Sequence, residues 1–132
     1  MKILVVDDNE TVRLITSAAL SAVGHEVHAP DFHGAFEFPQ LVDDLQPDVV
    51  LIDEHMPGLR GRHLVKMAKG RSRHLCAVLL YSGATSEQEL ASIADEHGAD
   101  GFIMKTDDTN QLVAAVADHC DKLVVRRESL RP

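Results

Sequence analysis

The chain has 132 residues, 45% of them hydrophobic and 26% charged, which suits one ordinary domain that buries its own core. Thirteen Lys and Arg against 21 Asp and Glu give a net charge of −8, so the basic excess that direct nucleic-acid binding requires is missing. The apolar runs at 49–52 and 77–81 are too short to cross a bilayer, and no signal-peptide pattern follows Lys2. Cys76 and Cys120 lack CxxC spacing and are expected as buried thiols of a reducing, cytoplasmic compartment.

Short continuous apolar runs alternate with helical stretches along the chain. The first run, Ile3-Leu4-Val5-Val6, has the branched character of a strand buried on both faces. Val12, Ile15, Ala19 and Val23 then recur at helical spacing, and Gly24 stands just past them, where positive φ is usual. A weaker strand is expected at Glu26-Val27-His28-Ala29. Gly34 and Pro39 interrupt the second helix, so the spacing predicts it only over about 39–45, with Pro39 at its first position. Phe32, Phe36 and Phe38 crowd ahead of it, either closing the core or forming an exposed docking patch.

Val49-Val50-Leu51-Ile52 predicts a third strand and Gly70 the end of a third helix. Around that helix Arg60, Arg62, Lys66, Lys69, Arg71 and Arg73 form a basic run, a solvated face or a dock for an acidic partner. Ala77-Val78-Leu79-Leu80 is the fourth strand. Ser86-Glu87-Gln88-Glu89 has capping-box form ahead of a helix striped by Leu90, Ile93, Ala94 and His97, with Gly98 beyond it. Phe102-Ile103-Met104 is the fifth strand. Asp108 and Gln111 open a last helix striped by Leu112, Val113, Val116, Cys120 and Leu123. Five strands alternating with five helices predict a doubly wound α/β domain.

Polar residues stand at the carboxyl ends of four of these runs: Asp7 and Asp8, Asp53, Ser82 and Lys105. Ligands of open α/β sheets bind in the crevice outside those ends. Three carboxylates brought together repel unless a cation compensates, and an all-oxygen set suits Mg²⁺. With Lys105 opposite, the crevice can accept a phosphoryl group: Ser82 donates a hydrogen bond, and Asp53, ending a central strand, is the natural nucleophile. The remaining histidines form no metal-binding pattern; His97 and His119 are expected at partly wet helix edges.

Four segments together resemble a bacterial two-component response-regulator receiver domain, chemotaxis-regulator-like. They are Asp7-Asp8, Asp53-Glu54-His55-Met56-Pro57-Gly58, Tyr81-Ser82-Gly83, and Gly98-Ala99-Asp100-Gly101-Phe102-Ile103-Met104-Lys105. The resemblance covers about residues 1–123, and 124–132 is then a tail or the start of a linker. It implies a five-stranded parallel sheet of order 2-1-3-4-5, with Asp53 phosphorylated from a sensor kinase phosphohistidine. It implies Mg²⁺ held by Asp8, Asp53 and the His55 backbone carbonyl, with Asp7 acting through water. Lys105 would pair with the phosphoryl group, Ser82 would move to it and Phe102 would swing inward. The change would remodel the face of the fourth helix, fifth strand and fifth helix, where a downstream partner, a fused output domain or a second copy docks. Neither nucleic acid nor membrane is an expected partner, and self-phosphorylation and dephosphorylation are the only catalysis implied.

Three departures stand out. Thr106 replaces the family's proline after Lys105, so either a cis bond is kept at extra cost or the loop takes another path. Phe102 replaces tyrosine and is expected to favour the buried position. His55 is expected to border the path of attacking water and to alter the acyl-phosphate lifetime. The alternatives are a phosphorylation-independent binding module, a phosphohydrolase and a flavodoxin-like cofactor binder. The phosphohydrolase lacks room for a cap, and the first turn, Asp7-Asp8-Asn9-Glu10-Thr11, has no glycine for a cofactor phosphate.

Overall fold

A computed structural model describes residues 1–131, and Pro132, the last residue of the expected tail, lies outside the described residues. Five strands, numbered in chain order with a small hairpin left out, form one parallel sheet. They are β1 (Lys2–Val6), β2 (Glu26–His28), β3 (Val49–Asp53), β4 (Ala77–Ser82) and β5 (Gly101–Met104). Their spatial order is β2-β1-β3-β4-β5, as the resemblance implies. The helices are α1 (Glu10–Ala22), α2 (Phe38–Leu45), α3 (Val65–Arg71), α4 (Glu87–His97) and α5 (Thr109–Ser129). None is long and apolar enough to cross a membrane.

Strand parity sorts the core into two layers. Leu4, Val6, Val50, Ile52, Val78 and Leu80 face one side with Phe38, Val42, Leu64 and Leu90. Ile3, Val5, Val49, Leu51, Ala77 and Leu79 face the other with Leu20, Val116, Cys120 and Leu123. Helices cover both faces, which is why the central strands read as unbroken apolar runs. Cys76 and Cys120 are free and buried, as expected.

Helix α1 departs from its expected stripe. Ile15 and Val23 are 53% and 55% exposed, whereas Arg13, Thr16 and Leu20 are buried. Arg13 Nη1 donates to the Asp7 carbonyl at 2.8 Å, which gives its buried guanidinium a partner on this face. Gly70 lies inside α3, not beyond it. Gly98 does take positive φ, 77°, past α4, and Ser86 caps that helix by accepting from Glu89 N–H. Asp108 caps α5 through Asn110 N–H, two residues on. The second helix begins at Phe38, after a 3₁₀ turn over Ala35–Glu37. Phe32 and Phe38 pack edge to face in the core, while Phe36 is 80% exposed, so the three do not act as one cluster. Helix α5 runs past Leu123, and Arg127 ties it back to Asp48 at 3.0 Å and to the Leu75 carbonyl at 2.8 Å.

The loop after β3 is pinned from below. Glu54 is wholly buried; it accepts from Arg62 N–H at 2.9 Å and Arg62 Nε at 2.7 Å. A Cβ on Gly61 would lie 2.3 Å from the Asp53 carbonyl, so only glycine fits there. With Arg62 on Glu54, Lys69 on Asp100 and Arg71 on Asp43, half of the basic run is engaged in internal ion pairs. Arg62→Ala would leave the Glu54 charge buried and unpaired. It should lower unfolding free energy by about 3 kcal/mol in urea titration, with Glu54→Gln costing clearly less because the amide still accepts from Arg62.

Candidate functional site

The site is built by register and parity. In the parallel ladder Asp53 pairs with Tyr81, and Tyr81 with Ile103. Asp7 follows Val6, which pairs with Ile52, so Asp7 and Asp53 sit side by side at the carboxyl edge. Asp7, Asp53, Tyr81 and, two past Ile103, Lys105 therefore share the α1/α5 side. Ser82 and Phe102 alternate to the other. Sequence position alone thus delivers one row of charges at one edge.

Asp7 and Asp53 are buried, and Asp8 is exposed. Ligand oxygens of the three lie within 4.8 Å of one another. Lys105 Nζ stands 3.1 Å from Asp7 Oδ2 and 3.1 Å from Asp53 Oδ1. The Lys105–Thr106 peptide is trans, as are all peptides among the described residues, so the loop takes another path and Lys105 still arrives. One ammonium against three carboxylates leaves two negative charges uncompensated. Burial raises the Asp53 pKa above the usual carboxylate value, and the Asp7 charge adds to the rise. The Lys105 ammonium and the His55 N–H, 3.2 Å from Oδ1, pull it back without cancelling the shift. An all-oxygen set with surplus negative charge fits a hard divalent cation such as Mg²⁺.

A second network flanks Asp53. His55 Nδ1 accepts from Arg60 Nη1 at 2.5 Å, because guanidinium can only donate, so Nε2 carries the proton and bonds the Thr85 hydroxyl. Ser82, fully buried, donates to Thr85 Oγ1 at 3.2 Å and accepts from Ala84 N–H at 3.1 Å. Its hydroxyl is thereby occupied away from Asp53. Phe102 is half-buried against the α2/α3/α4 side of the core, not fully inward. His97 and His119 are half-buried, as expected at helix edges.

A sequence model of the response regulator receiver domain matches residues 3–117. The chain belongs to that family. It is 25% identical over 130 residues to the nitrate/nitrite response regulator protein NarL of Escherichia coli strain K12, covering 98% of this chain and 59% of NarL. Among solved structures, NtrX from Brucella abortus in complex with ADP superimposes with a TM-score of 0.84 at 27% identity, covering 99% of this chain and 30% of NtrX. A response regulator from Burkholderia pseudomallei, solved with a phosphorylated aspartic acid, calcium ion and citrate, shares the fold at a TM-score of 0.75. It is 21% identical, with 99% of this chain and 75% of that one covered. The chain thus spans less than two thirds of NarL and less than a third of NtrX.

In this receiver domain the residues singled out from sequence, Asp7, Asp8, Asp53, Ser82 and Lys105, converge on one edge. Three further residues join them. Tyr81 donates to Asp7 Oδ2 at 2.6 Å, Thr85 links His55 to Ser82, and Arg13 holds the Asp7 carbonyl. The sequence marked Tyr81 only as the residue before Ser82 in the third of the matching segments, and nothing in the pattern marked the other two.

The raised pKa of Asp53 means that its ionised form opposes folding. Its effect on stability is nil well below the unfolded carboxylate value and becomes a penalty as pH rises through the raised value. Asp53→Asn removes that penalty while Lys105 keeps Asp7. In the absence of divalent ions it should raise Tm by about 3 °C at pH 7.5, and the gain should shrink toward pH 4 in a calorimetric series.

Proposed function

We propose that this receiver domain is a phosphorylation-activated signalling switch. Asp53 takes a phosphoryl group from the phosphohistidine of a sensor kinase or phosphotransfer protein: a carboxylate oxygen attacks phosphorus and the P–N bond breaks. The electron pair of that bond stays on the ring, which, already protonated by solvent on its other nitrogen, leaves as neutral imidazole. The observation that carries this reading is the Lys105 ammonium at 3.1 Å from both Asp7 and Asp53, facing a cluster of three carboxylates. Asp8, Asp53 and the His55 backbone carbonyl would hold Mg²⁺, with Asp7 reaching it through water. Bound there, the ion supplies charge neutralisation for the incoming phosphoryl oxygens. The phosphorylated aspartate and calcium ion of the Burkholderia pseudomallei protein support the same chemistry on this fold.

Each remaining residue has a role that follows from its place. Lys105 exchanges a carboxylate for a phosphoryl oxygen. Ser82 leaves Thr85 to donate to another, and Phe102, half-buried on the same side of the sheet, moves into the space released. The repacked α4–β5–α5 face then binds a downstream partner, a fused output domain or a second copy. A new dianion biasing a two-state packing element is sufficient for that readout.

Incubation with Mg²⁺ and a small acyl-phosphate donor should add one phosphoryl group in intact-mass measurement. Asp53→Asn, or a chelator, should abolish the adduct, and a wild-type chain that never acquires it would refute the proposal. The His55 side chain is held by Arg60 and Thr85 two residues after Asp53, and in this reading it screens the acyl phosphate from attacking water. His55→Ala should shorten the acyl-phosphate half-life severalfold, followed by loss of the adduct mass after donor removal.

A further inference from the structure

Tyr81 is the only tyrosine of the chain, which has no tryptophan. Its ring is 2% exposed, and a buried phenol needs a hydrogen-bond partner. Any backbone carbonyl would serve. The hydroxyl instead donates at 2.6 Å to Asp7 Oδ2, a distance typical of a bond to an ionised carboxylate. Lys105 Nζ lies 4.4 Å from the centroid of the same ring and also donates to that oxygen. The phenol therefore touches both the acid and the ammonium that border Asp53.

Counting donors shows what this does to Asp7. Oδ1 accepts from Asn9 N–H at 2.9 Å, and Oδ2 accepts from Tyr81 and Lys105. Each carboxylate oxygen offers about two acceptor positions, so Oδ2 is filled while Oδ1 retains one. A phenol hydroxyl facing a carboxylate oxygen that has no proton to give can only be the donor of that bond. Lys105 is shared with Asp53 and cannot fix the Asp7 carboxylate by itself.

We infer that Tyr81 is a positioning residue of the acidic site: its hydroxyl holds the Asp7 carboxylate so that Oδ2 meets Lys105 and the free capacity of Oδ1 serves a divalent cation or its bound water. The inference rests on the cation part of the reading above and not on phosphoryl transfer. Partners that orient a metal-site carboxylate in this way typically contribute tenfold or more to metal affinity.

Tyr81→Phe keeps the ring, its packing and its contact with Lys105, and removes only the hydroxyl. By calorimetry without phosphoryl donor, Mg²⁺ affinity should fall about tenfold, whereas Lys105→Met, which removes a competing positive charge, should raise it. In the wild type, the emission of the single tyrosine should change saturably over the Mg²⁺ range in which calorimetry detects binding, a signature that mere packing would not give. This second readout stands even where the variant fails to fold. Affinity within twofold of wild type in folded Tyr81→Phe, emission indifferent to bound Mg²⁺, or no Mg²⁺ binding by the wild type would each overturn the inference. A wild type that binds Mg²⁺ with this sensitivity but takes no phosphoryl group would sink the proposed function and leave the role of Tyr81 intact.

Discussion

The edge of this sheet is organised by a shortage of positive charge. Lys105 stands between Asp7 and Asp53, and no second ammonium or guanidinium reaches either carboxylate among the described residues. Arg13 approaches Asp7 but spends its Nη1 on the backbone carbonyl and its Nη2 on Asp31. Burial first, and then the neighbouring Asp7 charge, raise the pKa of Asp53, and the single Lys105 ammonium does not cancel the rise. The same imbalance that disfavours the free site is what makes it receptive to a cation. Everything rigid around it serves to prevent relaxation by movement. Gly61 lets the loop pass against the Asp53 carbonyl, and the buried Glu54–Arg62 pair fastens that loop to the 3₁₀ turn over Gly61–Leu64 ahead of α3.

The fold was legible because its central strands are covered on both faces and so have no polar alternation to confuse the reading. The strand-end residues were legible for a related reason: a polar side chain directly after an unbroken apolar run has only the carboxyl edge to occupy. Amphipathic helices were harder. The expected stripe was Val12, Ile15, Ala19 and Val23. Val12 packs against the core and Ala19 is half-buried, but Ile15 and Val23 are exposed and the buried face runs through Arg13, Thr16 and Leu20. Hydrophobic periodicity weighs side chains alone and takes no account of a backbone carbonyl that must be paired. Gly70 misled by the same kind of argument, since a glycine spaced like a helix stop can also lie within the last turn.

The site was legible residue by residue but not as a network. Composition could not show that Tyr81 spans from β4 to Asp7, because that depends on the pairing of Asp53 with Tyr81 and on both facing the α1/α5 side. The trans peptide at Lys105–Thr106 also lay beyond the sequence, which offered strain or a different loop without choosing. The loop resolves it by local bonds: Lys105 N–H donates to the Ser82 carbonyl at 2.8 Å, and Thr106 Oγ1 accepts from Asp108 N–H at 3.2 Å.

Parity also divides the site into two separately bonded halves. Asp7, Tyr81 and Lys105 form one, on the α1/α5 side; Ser82, Thr85 and His55 form the other, beside α4. Asp53 touches the first through Lys105 and the second only through the His55 backbone N–H. No side-chain hydrogen bond among the described residues joins the halves directly. A group added to Asp53 with acceptor oxygens on both sides would connect them, drawing Lys105 from one half and Ser82 from the other. The two rearrangements differ in what they leave behind. Asp7 would keep Tyr81 and the Asn9 N–H if Lys105 moved, so the α1/α5 side would retain its hydrogen bonds. Thr85 loses Ser82 and keeps only His55, so the α4 side is the one free to repack. On this arrangement, conformational change would propagate toward α4 and β5 because the opposite half retains a donor for every carboxylate it buries.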